Sequence, residues 1–307
     1  MQRLKSLLRD RNFILILSLV LGLTLHQGAR YTEKILLLIL IFVMTISMTS
    51  ITAAIFKSPR RWVKPIAVSL GINYVLLGGS LILLAYLLGV SDPYLVGFIV
   101  LASAPPAIAV IPFTNFLGGD PDYSLVGFTA CYLGAFIVTP LTISLFLGSQ
   151  PGFSFRILTL LTELIFVPFI LSRVLVRYDI DKKIEGFKGT LVNWSFFMIV
   201  YTIVGLNKEV FLSEPLSLIS LAVIALFCTF IMGYIVEKIS KKLGVDSSKT
   251  MSMILLATSK NSGFAAGIAI TLFSVESTIP STITTIFMLL YVIFLDLRKK
   301  IDFPNKG

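Results

Sequence analysis

Charge is what this sequence has least of. Only 14% of its 307 residues are Asp, Glu, Lys or Arg, against roughly 25% in soluble domains. With 56% hydrophobic residues, a water-facing surface cannot be built, and the chain reads as an integral membrane protein. Histidine is reduced to His26, and the two cysteines, Cys131 and Cys228, sit in apolar runs without metal-ligand spacing. A zinc site and a disulfide framework are therefore not expected. Uninterrupted apolar runs stand where charge is missing: residues 35–56 and 216–235 are each about one bilayer thick. They exclude a soluble enzyme and a nucleic-acid binder, so nucleic acid is not an expected partner.

Apolar windows between charged residues or Gly/Pro breaks fall near 12–27, 34–56, 64–89, 93–118, 123–147, 155–175, 191–207, 215–236, 250–273 and 278–296. They predict an all-α polytopic membrane protein of ten transmembrane helices. Ten spans of about 22 residues use about 220 positions, so residues 1–307 form a single transporter-sized unit with no separate soluble domain. The basic residues test the orientation. With the N-terminus inside, twenty-one of the twenty-six lysines and arginines fall in cytoplasmic loops and tails, and only Arg30, Lys34, Arg156 and Lys208 fall outside. The expected location is the inner (plasma) membrane, multi-pass, with both termini cytoplasmic. The net charge of +10 is then a topology signal, with anionic lipid headgroups as its partner. A cleaved leader over residues 1–30 is not expected, because no small-x-small site follows and its removal would spoil the charge alternation.

Ten spans divide into five and five, 12–147 and 155–296. Because five is odd, the second half enters from the opposite side, which permits an inverted repeat, a common plan of secondary transporters with midplane sites. Span four contains Pro105-Pro106, about 18 Å along a helix from Pro93, and span nine contains Thr258-Ser259-Lys260-Asn261-Ser262-Gly263 at a similar depth. A proline kink or a hydrogen-bonded polar cluster is common in membrane helices taken singly. Their coincidence at corresponding positions predicts two broken helices that cross. Half-helix N-termini there favour an anion and carbonyl ends a cation.

At these residues the chain resembles the bile acid:sodium symporter family over roughly residues 12–295. The stretches that carry the resemblance are Ala104-Pro105-Pro106, Phe113-Thr114-Asn115-Phe116-Leu117-Gly118-Gly119-Asp120, Val138-Thr139-Pro140-Leu141, Phe166-Val167-Pro168-Phe169 and Lys260-Asn261-Ser262-Gly263. The resemblance implies a panel domain of spans one, two, six and seven, a core domain of the other six, and transport of an organic anion with sodium between them. It also marks departures. Where the family places Ser-Asn after the first break, Val110 and Ile111 stand, and its span-nine Glu and Gln are here Leu256 and Lys260. Asn73 resembles a retained amide ligand. Sodium takes several oxygens and is repelled by a nearby ammonium, so both family sodium sites are expected to be absent.

Lys260 is costly at mid-membrane unless it faces protein and is paired, and it falls where the resemblance places sodium. The expectation is that its ammonium replaces the coupling cation, or that it carries a proton. Glu163, about 12 Å into span six, is the carboxylate to weigh as its partner, either as a static ion pair or as a gate. Asp120 and Asp122 read as a solvated turn, and Gly78, Gly79, Gly263 and Gly267 as sites of close helix approach. Candidate substrate- or ion-binding residues are Lys260, Asn261, Ser262, Ser259, Asn73, Pro105, Pro106, Thr114, Asn115 and Glu163, none with a catalytic or metal role. The expected function is a sodium-independent uniporter, exchanger or proton-coupled carrier of a small organic anion, without a cofactor. The alternative is a sodium symporter whose site is rebuilt from Thr129, Thr139, Ser259 and Asn261. A hydrolase using Ser259 and Lys260 is disfavoured, because adjacent helical residues point about 100° apart.

Overall fold

The computed structural model describes residues 11–49, 59–148, 153–213 and 217–302, and among these the chain is helical, with no β-strand. The basic residues Arg3, Lys5, Arg9, Lys57 and Lys306, and residues 149–152 between the two halves, lie outside the described residues. In chain order the helices are α1 (Arg11–Thr24), α2 (Leu36–Met48), α3 (residues 59–87), α4 (Asp92–Ser103), α5 (Val110–Leu117) and α6 (Pro121–Leu147). They continue with α7 (residues 153–177), α8 (Ile180–Leu206), α9 (residues 217–242), α10 (Ser247–Thr258), α11 (Ser262–Leu272) and α12 (Ile279–Asp302).

Seven described helices are long and apolar enough to cross a membrane, or eight if the pair His26–Glu33 and Leu36–Met48, bent by 74°, counts as one span. The sequence pattern predicts ten. Of the predicted spans, the first is described over 14 residues as α1, and the fourth is divided into α4 and α5 by Pro105 and Pro106. Helix α8 starts at Ile180, well before the expected 191, because residues 180–190 carry five charges and a hydropathy window does not count them. Three spans contain π-helical stretches, at Gly71–Gly78, Thr162–Phe166 and Phe227–Ile231. Such widened turns gather at functional sites.

Helix starts follow the local sequence. Asp120 caps α6 by accepting from Tyr123 N at 3.0 Å, with Pro121 next, and Asn261 caps α11 by accepting from Phe264 N at 3.0 Å. Asp120 is therefore more than a solvated turn, since its backbone N–H also reaches the Ser252 hydroxyl at 2.9 Å and ties α6 to α10. Burial places the centre of the molecule. In α10 and α11, 83% of the apolar window is inside the protein, against 28% in α6, so the broken pair is the core and α6 turns only one face, with Cys131, Tyr132 and Thr139, toward it. Gly263 and Gly267 turn toward Leu40 of α2, where an added Cβ would meet its side chain at 3.0 and 2.7 Å, which is the expected close approach.

Candidate functional site

The first break follows from proline chemistry. A residue before proline is driven out of the helical region, and Ala104 stands at φ −68° and ψ 149°. Pro105 and Pro106 have no N–H, so the carbonyls four residues earlier, Leu101 and Ala102, lose their helical donors. Each finds another. Leu101 O accepts from Ala104 N at 3.1 Å, and Ala102 O accepts from Lys260 Nζ at 2.7 Å. Downstream, Ser103 O accepts from the Thr139 hydroxyl at 2.9 Å, Ala104 O from Lys260 Nζ at 2.8 Å, and Pro105 O from Asn261 N at 2.8 Å.

The second break answers the first. Ser259 is extended, at φ −126° and ψ 116°, and its carbonyl accepts from Ala107 N at 3.3 Å. Together with the bond from Asn261 N to Pro105 O, this joins the two non-helical segments by a pair of backbone bonds, as strands would be joined. Lys260 projects from this crossing and is 2% exposed. Its Nζ donates to Asn73 Oδ1 at 2.9 Å as well as to Ala102 O and Ala104 O, which uses all three ammonium protons. The Tyr74 ring lies 4.6 Å from the ammonium, and the Tyr74 hydroxyl donates to Cys131 O at 2.6 Å. Asn73 and Tyr74 are both in the π-helical turn of α3. The Asn73 amide donates onward to Leu256 O at 2.8 Å.

The remaining predicted residues divide. Asn261 is at the crossing, where its Nδ2 donates to the Tyr132 hydroxyl at 2.7 Å and approaches Met44 Sδ of α2 at 3.3 Å. Ser259 Oγ and Ser262 Oγ are buried and have no hydrogen-bond partner among the described residues. Thr114 is turned away, its hydroxyl 2.7 Å from both Val110 O and Ser124 Oγ. Glu163 does not join Lys260. It is partly exposed in the π-helical turn of α7 and makes no salt bridge among the described residues, while the lysine is saturated by carbonyl and amide oxygens. That donor set also removes the Ser259–Lys260 hydrolase couple.

Tyr74, Tyr132 and Met44 are contributors that the sequence does not announce. A tyrosine within a span is a weak signal, and the facing of Met44 depends on how α2 is turned. Asn115 is exposed on α5 and lines a crevice of about 460 Å³ shared by α5, Ser47 of α2, and Lys188 and Asn193 of α8. That volume is in the range of small-molecule sites.

Residues 37–214 match the Sodium Bile acid symporter family. No curated protein matches the chain. The family match spans more than half of the sequence and takes in Asn73, Pro105, Pro106 and the crevice, stopping before Lys260. A helical, multi-pass membrane chain with a split fourth apolar segment accords with it, and the chain belongs to the sodium bile acid symporter family, whose members are transporters and not enzymes.

Proposed function

We propose that the protein carries a small organic anion across the inner membrane by alternating access, independently of sodium, with the Lys260 ammonium in place of the coupling cation. One observation carries the reading: Nζ is held at 2.7 to 2.9 Å by Ala102 O, Ala104 O and Asn73 Oδ1. Backbone carbonyls and an amide oxygen are cation ligands. A sodium ion added beside a fixed ammonium in a low-dielectric site would be repelled.

Several features support the wider scheme. The breaks fall in the fourth and ninth apolar segments, and two of the three π-helical stretches fall in the third and eighth, while the one in the sixth has no counterpart among the described residues of the first; the paired features support a ten-span inverted repeat of two halves, 12–147 and 155–296. The concentration of basic residues on one side supports cytoplasmic termini and contact with anionic lipid headgroups. The crevice beside α5 is then cytoplasmic; its half-helix N-terminus favours an anionic substrate, while its Lys188 is paired with Glu185 of the same wall at 3.9 Å. A proton-coupled version of the cycle would run through Lys260, whose burial disfavours the charged form.

A second reading, sodium symport, is favoured by two buried hydroxyls without partners among the described residues, Thr129 Oγ1 and Ser259 Oγ. Equilibrium binding of radiolabelled sodium to the purified protein separates the two. The expected result is no saturable binding to the wild type. Saturable binding that is lost in Thr129→Val and Ser259→Ala would establish the symporter instead.

A further inference from the structure

Helix α8 meets the rest of the protein differently at three depths. Near Lys188 and Asn193 it walls the crevice of about 460 Å³. Its middle, at Phe196, Ile199 and Ile203, closes on α11 and α12 around a cavity of about 20 Å³. Just past its end, Asn207, 3% exposed, donates through Nδ2 to the Thr278 hydroxyl at 3.2 Å. The gap along α8 is therefore wide at Lys188, closed in its middle, and open again past Asn207, where a crevice of about 640 Å³ is lined by His26, Arg30, Asn207 and Glu276.

What faces α8 across the shut part is unexpectedly polar. Ser262, Ser281, Thr282 and Thr285 line the small cavity against the apolar face of α8. Ser281 is 1% exposed, and its Oγ, like that of Ser262, is buried with no hydrogen-bond partner among the described residues. Thr285 and Thr282 bond back to their own helix, at 2.8 Å to Ser281 O and 3.4 Å to Thr278 O. Hydroxyls buried against hydrocarbon without partners are unfavourable, and alanine or valine would pack there without that penalty. The pattern suits a surface that meets water or solute during part of the cycle.

We propose that Ser262, Ser281, Thr282 and Thr285 form the outer half of the substrate path. Their hydroxyls donate to the oxygen atoms of an organic anion once α8 leaves α11 and α12 and the bond from Asn207 to Thr278 parts. The proposal rests on the alternating-access reading and adds the outward-facing surface and the groups that hold the substrate there.

Cysteine accessibility tests it. Ser281→Cys and, independently, Thr285→Cys are treated in intact cells with two membrane-impermeant thiosulfonates, one bearing a sulfonate and one a trimethylammonium. Each rate is normalised to that with free cysteine, and the wild type, whose Cys131 and Cys228 are buried, supplies the background. The expected result is reaction from outside, a normalised preference for the sulfonate, and a several-fold acceleration when Asn207→Ala is added. Two outcomes would overturn the proposal: neither cysteine reacting from outside while Asn193→Cys reacts from the cytoplasmic side of inverted vesicles, or a preference for the cationic reagent. Failure of alternating access itself would show separately, as Asn193→Cys reacting from both sides at undiminished rate.

Discussion

A lysine ammonium has three N–H donors, and at Lys260 each is spent on an oxygen that would otherwise be unpaired or mispaired. Two of the acceptors belong to the first break. Ala102 O is orphaned by Pro106, and Ala104 O lies where the chain has left the helix. The lysine and the two prolines are therefore one device, separated by more than 150 positions in sequence. Lys260→Met leaves both carbonyls buried without donors, at about 1 to 3 kcal/mol each. Asn73→Leu leaves a buried ammonium one acceptor short, at about 3 kcal/mol or more. Because these residues share one network, the double variant should lose less than the sum of the two single losses, by roughly 0.5 to 3 kcal/mol; additive melting-temperature losses would contradict the network. Lys260 stands out in the sequence because a charge in an apolar window demands a reason. Its partners do not, since carbonyl acceptors leave no trace in residue identity and the ring of Tyr74 depends on the rotation of a π-helical turn. Glu163 drew attention by the same rule as Lys260 and lies elsewhere, because depth along a helix says nothing of the direction a side chain faces.

At the scale of elements, the breaks are legible because proline removes donors wherever it stands and a run of Ser, Lys and Asn cannot continue as a lipid-facing helix. The lengths of α8 and α9 are less legible, since both helices run past the apolar band into charged turns. The π-helical stretches are illegible, because no residue type dictates them. Helix contacts also turn on glycines whose roles the sequence does not distinguish. At Gly97 in α4, a Cβ would fall 2.3 Å from the backbone oxygen of Ser277 and 2.8 Å from Pro280 Cγ, whereas at Gly79 it would meet nothing within 4 Å. Gly97→Ala should accordingly cost about 1 to 3 kcal/mol or more through overpacking against backbone that cannot yield. Gly79→Ala should be neutral or stabilising by up to about 1 kcal/mol. Thermal unfolding of the two purified variants checks this, and equal losses would mean that α4 is not seated on the turn before α12 as described.

The whole molecule is a central broken pair, α10 and α11, locked to the break between α4 and α5, with the middle of α8 closed against it between two crevices. Composition is enough for the membrane class, and the order of broken segments pointed to the family. The number of full spans is less legible, because short and split helices fail a length rule that holds for straight ones. The central claim is that the crossing carries its own cation. The direct measurement is the melting temperature of the purified protein in sodium chloride and in choline chloride at equal ionic strength, for the wild type and for Lys260→Gln. A ligand at 100 times its dissociation constant stabilises by about 2.7 kcal/mol, so a bound sodium ion would be visible. The account predicts no difference for the wild type and a sodium-specific rise for Lys260→Gln, in which the carbonyls of Ala102 and Ala104 are freed for an ion. A wild type stabilised by sodium and not by choline would contradict it.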